Sequence, residues 1–157
     1  VSACAECGFD GAGVSPADAV AALRSFPRRF RELLEPGNDD MPPPGPAERQ
    51  AVLRLAASAA AMIAARGRDL HRVLVEEQPG LTAAPATADA EGGGDALERL
   101  QAVTDDLASA AAATKGDEWR RTGQRDGSAV TAIDVLREAV HAAAHQLRAA
   151  AAIVGRR

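Results

Sequence analysis

The stretch "TAIDVLREAVHAAAHQLRAAAAIV", residues 131–154, decides the fold. Ile133, Leu136, Val140, Ala144, Leu147, Ala151 and Val154 recur at three- and four-residue steps, the period of one helix face. Thr131, with Asp134 three residues on, forms a variant capping box that starts this helix. A second stripe holds Asp134, Glu138, His141, His145 and Arg148. At ~100° per residue it lies ~100–140° from the middle of the apolar face, flanking the core without filling it. His141 and His145 stand four residues apart, so both imidazoles stack on one face, where they can hold a single divalent metal. Glu138, one turn before His141, is placed to accept that ring's N–H and fix its tautomer. The plain alternative is a solvated face with helix-stabilising charge pairs. His-x-x-x-His alone does not choose between the two.

Working outward, three further helices precede this one. The first opens with "SPAD": Ser15 as N-cap, Pro16 at the first helical position and Asp18 near the positive end of the helix. Val20, Leu23, Phe26, Phe30, Leu33 and Leu34 make its apolar face, and Pro27 is expected to kink or split it. "EPGNDDMPPPGP" (35–46) ends the segment. The second helix runs from about Ala47 to Glu77 with Val52, Leu55, Met62, Ile63, Leu70 and Leu74, and Gly67 marks a bend or break. The third covers about Asp95 to Thr114, its face formed by Leu97, Leu100, Val103 (or Thr104) and Leu107. Between them, residues 78–94 form a long, small-residue loop, of a kind that tends to be functional or disordered. "KGDEWRRTGQRDGS" reads as a polar loop holding Trp119, the only tryptophan, and no strand pattern competes anywhere. The expectation is an all-α four-helix bundle: an N-terminal Cys-x-x-Cys segment (1–14) followed by a single domain (15–157).

Composition agrees. At 157 residues the chain suits one domain with a real core, and 46% of it is hydrophobic while only 3% is aromatic, with no tyrosine. A core of Ala, Leu, Val and Ile suits closely packed helices better than sheets. The net charge of −4 and the scattered arginines offer no basic stripe, which argues against a nucleic-acid partner. The Ala-rich runs 55–65 and 108–113 are too short to span a bilayer, and the first is closed by Arg66 and Arg68. "VSACAECGFD" lacks the pattern of a signal peptide, so a soluble cytoplasmic protein without membrane contact is expected.

Cys4 and Cys7, the only cysteines, form Cys-x-x-Cys, which in a cytosolic chain points to metal binding or redox chemistry before a structural disulfide. "CAECGF" resembles one knuckle of a zinc ribbon, supplying two thiolates where a structural zinc takes four ligands. If the terminus folds back on the last helix, Cys4, Cys7, His141 and His145 complete Cys₂His₂. A frayed terminus with two free thiols is the alternative. His71, beside Leu70 among arginines, reads as a surface histidine.

Three segments together resemble the DinB/YfiT-like four-helix-bundle superfamily, specifically its small actinobacterial members. They are "CAECGFD…SPADAVAALRSFPRRFRELL", "DEWRRTG" (117–123) and "TAIDVLREAVHAAAHQL" (131–147), in the same order and over most of the chain. The resemblance implies a divalent metal, usually zinc or nickel, on three histidines, one from the second helix and two from the last. It also implies a thiol-dependent transferase or isomerase, related to the maleylpyruvate isomerase N-terminal type, using mycothiol, bacillithiol or glutathione. There the metal lowers the thiol's pKa for attack on an electrophile. Trp119 and Arg148 are then the candidate contacts to the low-molecular-weight thiol. His141 and His145 match the last-helix pair. The second-helix position falls on Ser58 in "RLAASAAAM", with Gln50 and Arg54 where the family's tryptophan and acid stand. A serine hydroxyl is a poor zinc ligand at neutral pH.

Three functions stay open. One is a metal- and thiol-dependent enzyme acting on a small electrophilic metabolite, with a replacement ligand from Cys4, Cys7 or His71. Another is a non-catalytic bundle with a closed structural zinc. The last is a metal-free pocket in which His141, His145 and Glu138 bind a small molecule or serve acid–base chemistry. Relatives are often dimers, and the Ala-rich surface permits a homodimer.

Overall fold

Four helices carry the structure, and their ends follow from local chemistry. A computed structural model describes residues 14–35, 43–75, 95–125 and 127–155. Helix α1 spans Pro16–Leu34, capped by the Ser15 hydroxyl, which accepts from the Asp18 backbone N–H at 3.2 Å. Helix α2 spans Pro46–Val75 and helix α3 Ala96–Ala113, where the Asp95 carboxylate accepts from the N–H groups of Leu97 and Glu98. Helix α4 spans Ala132–Val154. Thr131 and Asp134 form the expected reciprocal box at its start, a cap worth ~1 kcal/mol. At its end Gly155 takes a left-handed φ of 72°, open to glycine without steric cost.

The structure excludes a split at Pro27 and a break at Gly67, and it corrects the reading of the polar loop. Helix α1 runs through Pro27 without splitting. Pro27 is buried on the core face with Leu23, Phe26 and Phe30, and that packing offsets the ~3 kcal/mol an interior proline costs. Helix α2 likewise continues through Gly67, which is buried. The polar loop after α3 is instead ordered. A 3-10 turn at Gly116–Arg120 leads into an antiparallel hairpin of β1 (Thr122–Arg125) and β2 (Ser128–Thr131). Arg125 pairs with Ser128, leaving Asp-Gly as the two-residue link, and Gly127 adopts φ 79°. Asp-Gly between short runs is a hairpin signal, which the charged flanks concealed. Gly123 in β1 lies against Val73, so the hairpin is seated on the end of α2.

Side-chain contacts fix the topology. Arg49 at the start of α2 donates to the Leu34 carbonyl at the end of α1, and Arg31 donates to Gln101 near the start of α3. Both α2 and α3 therefore begin at the end of the bundle where α1 finishes. Arg137 in the second turn of α4 donates to the Val14 carbonyl just before α1, so α1 and α4 start together at the opposite end. The helices run up, down, down, up. Helix α1 packs on α3 and α4, and α2 packs on the same two, so α1 faces α2 across one diagonal and α3 faces α4 across the other. The core between them is mainly aliphatic: Phe26 and Phe30 of α1 belong to one buried cluster with Val52, Ile63, Leu70, Leu100, Leu107, Val135 and Leu136. Both Val103 and Thr104 are buried in α3; the Thr104 hydroxyl donates to the Leu100 and Gln101 carbonyls, which removes the cost of burying it. Among the described residues no helix is long and apolar enough to cross a membrane.

Candidate metal centre

The buried side of α4 consists of Ala132, Val135, Leu136, Ala139, Val140, Ala143, Leu147 and Ala150. Ile133, Ala144, Ala151 and Val154, expected in the core, are only half-buried. The face is rotated because alanines pack as closely as the larger residues where helices approach, and hydrophobicity alone underweights them. At ~100° per residue, His141 and His145 then lie ~160–200° round α4 from the middle of the core. The pair is on the outer side of the helix, not flanking the core.

Even so the two histidines are not solvated freely. Both are half-buried, and Nε2 of His141 and Nδ1 of His145 are shielded from solvent. Their ring centroids are 5.9 Å apart in an edge-to-face arrangement of 64°. Two imidazoles on one tetrahedral zinc, with Zn–N of about 2.0–2.1 Å, place their centroids ~5 Å apart. The observed separation is wider than that spacing.

Glu138 does not serve as the expected acceptor for His141. Its half-exposed carboxylate pairs instead with Arg66 of α2 at 3.4 Å. Arg66 also donates to Asp69 at 2.7 Å, and Arg72 approaches the other oxygen of Asp69 at 3.2 Å. Asp69 is nearly buried, and two guanidiniums compensate its desolvation. This network ties α2 to α4 one turn from the histidines. His71 is half-buried near it and takes part in an interaction of its own.

Gln146 donates to the Met62 sulfur at 4.0 Å, and with the Arg66–Glu138 pair this sets α2 antiparallel beside α4. Ser58 stands one turn before Met62 and is half-buried. By that register the α2 residues level with His141 and His145 lie between Met62 and Arg66, and Ser58 stands one turn beyond them. Among the described residues no group of three or more His, Cys, Asp or Glu can hold a metal. The three-histidine set does not fit this chain. Cys4 and Cys7 lie outside the described residues, as does the 78–94 loop.

The two candidate cofactor contacts are not brought together. Trp119 is half-buried against the core from the 3-10 turn, at the end of the bundle where α4 begins. Arg148 is exposed on α4, one turn past His145 and roughly 24 Å along the axis from Ala132. The contact sequence reasoning missed is Arg137. It lies one turn before His141 on the same side of α4 and grips the Val14 carbonyl through Nε at 3.2 Å and Nη2 at 3.0 Å. Nothing in the local sequence signals a bond spanning 123 positions.

Comparison with protein-family models, with curated proteins and with solved structures gives no match for this chain.

Proposed function

We propose that this protein is a zinc-binding helical bundle in which His141 and His145, with Cys4 and Cys7, close a structural Cys₂His₂ site that fastens the N-terminal segment to α4. The observation that carries this reading is the clamp of Arg137 on Val14, beside the histidine pair. From Val14 back to Cys7 the chain can reach at most ~25 Å. Arg137 and His145 are eight positions apart on one helix, ~12 Å along its axis. The cysteines are therefore within reach of the histidines. Two thiolates and two imidazoles are a donor set that suits zinc, and with all four in place no coordination position stays open for catalysis. Bound zinc would supply cross-linking, and the role of the chain's residues is to hold it.

A thiol-dependent transferase or isomerase of the DinB-like type is the second reading, favoured by the close ring approach of His141 and His145, the last-helix pair that the resemblance implies. It needs an open metal and a ligand from outside the described residues.

Metal analysis of the purified protein separates the two. The Cys₂His₂ reading expects one zinc per chain, lost both in Cys4→Ser/Cys7→Ser and in His141→Ala. Zinc lost only on histidine substitution rejects it and supports the open site. A parent protein that takes up no zinc rejects both and leaves a metal-free bundle.

A further inference from the structure

We propose that the 3-10 turn and the β1–β2 hairpin form a strap over the end of the bundle where α2 finishes and α4 begins, and that it lifts as one unit while the four helices stay folded. None of its residues is a metal donor in the reading above, so the two stand or fall separately.

The strap is tied together within itself. The Lys115 backbone N–H donates to the Glu118 carboxylate at 3.2 Å, and the Glu118 N–H donates back to the Lys115 carbonyl at 3.1 Å. The Arg121 N–H donates to the Glu118 carbonyl at 3.1 Å, and the Thr122 hydroxyl to the Arg120 carbonyl at 3.2 Å. Strands β1 and β2 then pair from Thr122 with Thr131 out to Arg125 with Ser128. Each of these bonds travels with the strap, so lifting does not break them.

Both ends are pinned to helices. The buried Thr114 donates its hydroxyl to the Ala110 carbonyl at 3.0 Å and its N–H to the Ala111 carbonyl at 3.1 Å. Thr131 is held at the other end by its box with Asp134. Just inside the first anchor, Gly116 takes a left-handed φ of 57°, and a Cβ there would meet none of the described residues within 4 Å. A glycine with open space around it absorbs a backbone rotation at little cost, which makes it the hinge.

The seat is apolar and narrow. Trp119 and Val130 are half-buried against the core, and Gly123 is buried against Val73 in the last turn of α2. Gly123 and Val130 are partners across the hairpin, so one rung, with Trp119, makes the seat. Gln124, Ser128 and Ala129, further out, are exposed. A two-stranded hairpin is marginal by itself, and units with few buried apolar contacts open more readily than the core. Rotation at Gly116 detaches Trp119, Gly123 and Val130 together and uncovers Val73.

The test is native-state hydrogen exchange in low urea. The amides of Glu118, Arg121 and the hairpin are expected to exchange at least about tenfold faster than helix amides around Leu107 and Ala139, with a shallower urea dependence because less surface opens. A lock then identifies the motion. A Cβ on Gly123 would lie 3.8 Å from the Val73 Cβ, the spacing of a disulfide. Val73→Cys/Gly123→Cys is therefore made in the Cys4→Ser/Cys7→Ser background. Once it is oxidised, the strap amides are expected to take on the rate and urea slope of the helices, and reduction restores the fast class. Should the pair not oxidise, Val130→Ala weakens the seat instead. Strap and helix amides are then expected to speed up by the same factor, on the order of fivefold. Strap amides that share the helices' rate and urea slope in the parent overturn the proposal, because strap and helices are then one cooperative unit. A fast class that persists in the cross-linked protein, or that Val130→Ala leaves unchanged, also overturns it, because the strap then frays in place without leaving α2.

Discussion

Ser58 and the histidine pair show how much one side chain decides. A hydroxyl at that corner leaves His141 and His145 as the metal donors that the described residues bring together, and two imidazoles bind a divalent ion weakly. Ser58→His in the Cys4→Ser/Cys7→Ser background is therefore expected to raise zinc or nickel affinity by at least tenfold, read by calorimetric titration. An affinity equal to that of the cysteine-free parent would show that the α2 turn does not face the pair. Glu138 makes the complementary point. Its position one turn before His141 was readable from spacing, but its partner is Arg66, on another helix and 72 positions away in the chain. Spacing within a helix says which side chains share a face, and says nothing of which neighbour outcompetes them.

The elements were mostly legible. Caps at Ser15 and Thr131 are local hydrogen-bond arrangements set by residues within three positions, so sequence alone places them. Neither Pro27 nor Gly67 breaks its helix, because their local cost is overridden by burial, which depends on distant partners. The hairpin was missed because its strands are only four residues each and largely solvated, so no hydrophobic alternation marks them. Its seat on α2 is tight: a Cβ built on Gly123 would meet Val73 Cγ2 at 3.2 Å. Gly123→Ala is expected to destabilise the fold by ~1 kcal/mol through overpacking, with a lowered urea midpoint and an unchanged denaturant slope. A midpoint equal to the parent's would mean that the hairpin shifts freely on α2.

At the scale of the whole molecule, the long 76–94 connection has a topological cause. Helices α2 and α3 start at the same end, so the chain leaving α2 must return along the length of α3. That helix has 18 residues, ~27 Å, and an extended link needs roughly nine residues to cover it. Length is thus accounted for without assigning the loop a catalytic role. Replacing 78–94 by about three residues, which leaves too little chain to close the distance, is expected to abolish the monomeric bundle. Swapped dimers or loss of helical circular dichroism on size-exclusion fractions would show it. Removing about five residues should leave the melting temperature within a few degrees. A monomer of parent stability with the short link would reject the up, down, down, up order.

The sequence by itself determined that this chain is a bundle of four helices, where each begins, and that His141 and His145 share a turn-spaced face. Those properties come from hydrogen bonds and periodicity within a few residues. Only the tertiary structure decided the rotation of α4 that turns the histidines outward, the capture of Glu138 by Arg66, and the grip of Arg137 on Val14. Each of these depends on which surfaces meet when alanine-rich helices pack closely. That choice is made by the summed burial of residues far apart in the chain, which no local spacing records.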